Sequence, residues 1–125
     1  LVHKKIAFFV ALGYTIALTA VSLVSVSGMP DFEYSNADKI YHFIAYFFLS
    51  SLWFVVLFKR YKLPFYKSLL YSVVASILFG IIIEVLQAIL TDYRSADYMD
   101  VLANTIGVST TVITLLILKK KVVKK

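Results

Sequence analysis

Four stretches of this 125-residue chain are almost free of formal charge, and each is long enough to cross a bilayer. Residues 6–30 and 101–118 carry no charged side chain, 40–58 carries only the titratable His42, and 68–91 carries only Glu84. A helix needs about 20 apolar residues to span the hydrocarbon core, within a range of about 17–25. The pattern therefore predicts four transmembrane helices at about 6–27, 41–58, 68–90 and 100–118. The apolar runs do not alternate with polar residues, which excludes the strand pattern of a membrane barrel. A continuous helix satisfies its own backbone hydrogen bonds in lipid. Gly28-Met29-Pro30, the Lys59–Lys67 segment with Pro64, and Asp92–Tyr98 supply the breaks. At 61% hydrophobic and 16% charged, the chain has too little polar surface to cover a water-soluble globule of its size. The expected fold is all-α, one membrane domain over residues 1–125.

His3, Lys4 and Lys5 ahead of an apolar run resemble a signal peptide. The run exceeds the about 7–15 residues of such a segment, so a retained helix is expected. Leu1 in place of Met is read as a trimmed or alternative start.

Charge sets the expected orientation. With four spans, eleven of the thirteen Lys and Arg fall on one side, in the N-terminus, the middle loop and the tail; Lys39 and Arg94 fall on the other. All seven acids lie in the opposite loops or helix ends. The positive-inside rule then places both termini of a multi-pass membrane protein in the cytoplasm. The net charge of +6 is accounted for by topology and anionic lipid, so a nucleic-acid partner is not expected. The bilayer itself is the expected partner. The absence of cysteine excludes disulfides, thiolate metal sites and cysteine nucleophiles. Tyr34, Tyr41, Tyr93 and Tyr98 are placed at the outer interface, and Tyr61, Phe65 and Tyr66 at the inner one.

Small residues at spacing four let helix backbones approach in lipid. Ala7-Ala11-Thr15-Thr19, Asp38-His42-Tyr46-Ser50, Ser72-Ser76-Gly80-Glu84 and Ala103-Gly107-Thr111 are read as packing faces. Three of them run outward into ionisable groups, which then face one another rather than lipid. Glu84 lies about 9–10 Å inside its helix end at 1.5 Å per residue. An ionisable group at that depth costs several kcal/mol unless paired, hydrated or protonated. Gln87 lies one turn outward; Arg94, Asp97, Asp100 and Asn104 form a second ladder, and Asp38, Lys39 and His42 a third.

The cluster has several readings. It is a buried network that fixes packing, an outward-facing binding pocket, or an active site with His42 and Glu84 as acid/base candidates. His42 with Asp97 and Asp100 is a conceivable metal set, but its spacing matches no ligand signature of the His-Glu-x-x-His kind, so neither a metal nor a cofactor is expected. A Gly-rich phosphate loop and a serine elbow are both missing from the sequence.

Three blocks resemble the VanZ-like family of bacterial membrane proteins: Asp38-Lys39-x-x-His42-Phe43-x-x-Tyr46, Gly80-x-x-x-Glu84-x-x-Gln87, and Arg94-x-x-Asp97-x-x-Asp100-x-x-Ala103-Asn104-x-x-Gly107. They stand in the family's order and spacing. The resemblance implies a four-helix membrane domain and an accessory link to resistance against teicoplanin, a lipid-tailed glycopeptide. Combined with the charge pattern, it points to a cell-envelope protein that is not primarily an enzyme. Its expected pocket is lined by Asp38, Lys39, His42, Glu84, Gln87, Arg94, Asp97, Asp100 and Asn104. The expected ligand is a lipoglycopeptide, a lipid or a lipid-linked wall precursor. An enzyme acting on a lipid head group and a structural subunit of a membrane complex are the alternatives.

Overall fold

The computed structural model describes residues 2–23, 36–90 and 98–124, and all regular structure among them is helical. The long helices are α1 (Val2–Leu23), α2 (Asn36–Val55), α3 (Phe65–Leu90) and α4 (Tyr98–Ile117). α2 runs on into a π-helical turn, Val56–Arg60, and a short α5 (Lys119–Val123) follows α4. All four long helices have the length and hydropathy needed to cross a membrane. Ile16, Ile82, Ile89 and Ile113 stand exposed on their surfaces, as a lipid-facing side chain does.

The bounds shift where charge meets helix. α2 begins at Asn36, about five residues before the expected start, because Asp38 is at home in a first turn, where the backbone N–H groups favour an anion. A hydropathy reading excludes such residues and starts the helix late. The earlier start brings Asp38 into the same helix as His42, one turn apart on one face, as their spacing of four predicts. α1 likewise begins at Val2 and carries Lys4 and Lys5 within it. The π-turn was not foreseen. After it, Lys62 adopts a left-handed φ of 55°, and Pro64 supplies the carbonyl that accepts the Ser68 N–H at 2.8 Å to start α3.

α2 is the hub of the bundle. It packs most extensively on α4, and also on α3 and α1, while α1 rests on α2 and α3. The close α2–α4 approach follows from Gly107. A Cβ there would overlap the Phe43 carbonyl oxygen and lie 3.1 Å from Phe47 N. The small-residue faces on α3 and α4 pack as the sequence predicts. Ser68, Ser72, Ser76, Gly80, Glu84 and Gln87 are buried on α3, and Ala103, Gly107 and Thr111 on α4. On α1 the buried line runs Ala11, Leu18 and Ser22, with Thr15 half-buried between them. A strict spacing of four drifts by about 40° per step on a helix of 3.6 residues per turn. The real contact line therefore alternates steps of four and three, and Ala7 and Thr19 fall at its margin.

Hydroxyls within the spans are satisfied locally. Thr15, Thr19, Ser51, Thr105 and Thr110 each donate to a carbonyl one turn back, at 2.8–2.9 Å. Others tie helices together. Tyr14 Oη donates to the Ala45 carbonyl at 2.7 Å, Trp53 Nε1 to Thr15 Oγ1 at 2.8 Å, and Thr111 Oγ1 to the Phe47 carbonyl at 2.9 Å.

Candidate functional site

Four buried polar groups meet where α2 and α4 begin, at the end of the bundle away from the lysine-rich segments. Asp38 and His42 come from α2, one turn apart; Asp100 and Asn104 come from α4 with the same spacing. Helical geometry stacks each pair on one face, and the Gly107 contact one turn deeper brings those faces together. Asp38, His42, Asp100 and Asn104 are all buried, with exposures of 1%, 4%, 1% and 2%.

Their contacts form a closed ring. His42 Nδ1 lies 3.0 Å from Asn104 Oδ1. On the other side of the imidazole, Nε2 faces Asp38 Oδ1 at 3.4 Å and Asp100 Oδ2 at 3.5 Å. The outer carboxylate oxygens share a cation, since Lys39 Nζ is 2.6 Å from Asp100 Oδ1 and 3.3 Å from Asp38 Oδ2. Lys39 is the member that reaches out, its side chain 26% exposed. Two buried carboxylates held this close repel strongly in a low dielectric, and the lysine ammonium between them offsets that repulsion.

Of the nine residues expected to line the pocket, the ring gathers Asp38, Lys39, His42, Asp100 and Asn104. Glu84 and Gln87 are buried on the same inward face of α3, and Gln87 Nε2 donates to the Ser22 carbonyl at 2.7 Å, tying α3 to α1. Arg94 and Asp97 lie outside the described residues. Among the described residues, the groups within bonding distance of His42 are Asp38, Asp100 and Asn104, and the His42–Glu84 pairing considered for an acid/base couple is not formed there. Asp38, His42 and Asp100 each offer a ligand atom within 4.8 Å of the others, a set that shares His42 and Asp100 with the one considered from sequence, while Asp97 lies outside the described residues.

Two features of the site escaped the sequence reading. Tyr41, assigned to an interfacial belt, packs edge-on against His42 with ring centroids 5.5 Å apart. It also lines an apolar cleft of about 400 Å³ between α1 and α2, together with Tyr14, Leu18, Val21, Ile44 and Phe48. No spacing signal marks it, because both faces of α2 are rich in aromatic residues. Ser22 was missed because it acts through its backbone carbonyl, which residue type does not reveal.

The VanZ/LLP1 family model matches residues 3–119, which takes in all four helices and the whole ring. The chain belongs to the VanZ/LLP1 family. Membership agrees with the three sequence blocks, and all the described ionisable residues of those blocks are buried except Lys39. No curated protein and no solved structure gives a significant match to the chain.

Proposed function

We propose that this VanZ/LLP1 protein sits in the bacterial plasma membrane with both termini in the cytoplasm. Its polar ring then opens on the outer leaflet and recognises an envelope amphiphile, a lipid-linked wall precursor or a lipid-tailed glycopeptide of the teicoplanin kind. The observation that carries the reading is the junction at Tyr41 between a polar and an apolar site. One side of this residue touches the ring through His42, and the other lines the cleft between α1 and α2. A ligand with a charged head and an acyl tail fits that junction, with its head at Lys39 and its tail in the cleft. Lys39 presents a partly exposed ammonium suited to a phosphate or carboxylate oxygen. The carboxylates behind it fix its position and accept from donor groups on sugar or peptide.

The test is teicoplanin susceptibility of a sensitive host expressing the wild type, Lys39→Ala or Ile44→Trp, which fills the cleft. Membrane abundance of each is measured alongside. The reading expects protection by the wild type and its loss in both variants at equal abundance. Protection that persists in both variants, or a wild type that gives none, contradicts it.

A further inference from the structure

We propose that Asp38, His42 and Asp100 form a binding site for one divalent transition-metal ion, zinc by the chemistry of its ligands, with Asn104 and Lys39 as positioning residues. The inference goes beyond the recognition reading and does not depend on it. Three observations carry it.

The first is the orientation of His42. Its Nδ1 lies 3.0 Å from the Asn104 amide oxygen. Donating Nδ1–H to that oxygen turns the Nε2 lone pair toward two carboxylates. Metal-bound histidines usually show this arrangement, with the far ring N–H held by a carbonyl or carboxylate. The second is the spacing. Nε2 is 3.4 Å from Asp38 Oδ1 and 3.5 Å from Asp100 Oδ2. Ligands about 2.0–2.1 Å from a tetrahedral zinc lie about 3.3–3.4 Å apart. The third is an unpartnered atom. Asp100 is 1% exposed, yet among the described residues its Oδ2, the oxygen that faces Nε2, has no hydrogen-bond partner. A buried carboxylate oxygen costs free energy in that state, and a metal ion satisfies it.

Lys39 does not compete for this position. It holds the other two oxygens, Asp100 Oδ1 and Asp38 Oδ2, and so aims the inner pair at the histidine. Once metal binding has displaced their protons, two carboxylates, one ammonium and a neutral imidazole carry a net negative charge, which favours a dication. One nitrogen and two oxygens suit zinc or manganese better than magnesium or calcium, which take all-oxygen shells. Three protein ligands leave a fourth position for water or for an oxygen of a bound head group. A metal there supplies a Lewis acid that polarises such an oxygen.

The experiment uses the full chain, purified in detergent without a polyhistidine tag, stripped with chelator and titrated with Zn²⁺ alone by calorimetry. Co²⁺ is then added in place of zinc and the visible spectrum recorded. The expected result is one ion per chain and the intense visible bands of tetrahedral cobalt. His42→Gln and Asp100→Asn are expected to weaken binding by at least about 100-fold, and Asn104→Ala by about 10-fold. If a variant fails to fold, the stoichiometry and cobalt spectrum of the wild type decide alone. Uptake far below one ion per chain, a weak octahedral spectrum, or unchanged binding in folded His42→Gln overturns the proposal. Teicoplanin protection without zinc uptake ends this inference and leaves recognition standing; zinc uptake without protection does the reverse.

Discussion

Replacing Gly107 by alanine tests how the site is assembled, because this glycine sets the separation of α2 and α4. The added Cβ overlaps the Phe43 carbonyl oxygen and meets Phe43 C and Phe47 N at 3.1 Å. All three are backbone atoms of a buried helix, so none can swing aside. Carbon atoms rest at about 3.5–4.0 Å, and α4 has to retreat by about 1 Å. The bonds between the two helices start at 2.6 Å for Lys39–Asp100, 2.8 Å for Ser50–Thr111, 2.9 Å for Thr111–Phe47 and 3.0 Å for His42–Asn104. A retreat of that size takes them beyond bonding range. Overpacking costs about 1–3 kcal/mol. Four interhelical polar contacts at about 0.6 kcal/mol each add about 2 kcal/mol. Gly107→Ala should therefore destabilise the bundle by about 4 kcal/mol. Unfolding in mixed detergent–SDS micelles, followed by the fluorescence of the single Trp53, measures this. A loss below about 1 kcal/mol would refute the reasoning, since it would mean that the helices do not touch at this point.

Further expectations follow from the same contacts. Gly80→Ala should cost less, about 1–2 kcal/mol, because its Cβ meets the side chains of Asn104 at 2.9 Å and Tyr46 at 3.1 Å, which can yield. Thr111→Val removes a hydroxyl that donates to the Phe47 carbonyl and accepts from Ser50, and should cost about 1 kcal/mol in the same assay. Lys39→Met leaves two buried carboxylates facing each other without their shared cation, and should destabilise by about 3 kcal/mol. Adding Asp100→Asn to it should recover part of that loss in a double-mutant cycle; strictly additive losses would show that the three groups do not interact.

Much of the fold was legible because lipid imposes a simple rule. Charge-free runs of helical length mark the spans, and Gly80, Gly107 and Thr111 fall on the faces that their spacing predicts. The ring was legible in part. Asp38 and His42 share a face because both stand on one helix, as do Asp100 and Asn104. Which pair meets which depends on helix order and rotation within the bundle, and spacing carries no such information. The sequence offered Glu84, or Asp97 with Asp100, as partners for His42; among the described residues the structure supplies Asp38, Asp100 and Asn104, and Asp97 lies outside them. Charged residues in a first turn look like loop to a hydropathy reading, although they begin the helix. Ser22 and Tyr41 were illegible for a different reason: one acts through its backbone, and the other lies among many aromatic residues with no pattern to single it out.

The proposed function requires the polar end of the bundle to face outward, and cysteine labelling tests that most directly. The chain has no cysteine, so each introduced thiol is the only one present. Tyr98 is 81% exposed at the start of α4, two residues before Asp100, and Lys124 lies beyond α4 at the opposite end. A membrane-impermeant maleimide on intact cells should label Tyr98→Cys and should reach Lys124→Cys only after permeabilisation. Labelling of Lys124→Cys in intact cells, with Tyr98→Cys protected, would turn the ring toward the cytoplasm and contradict the proposed function.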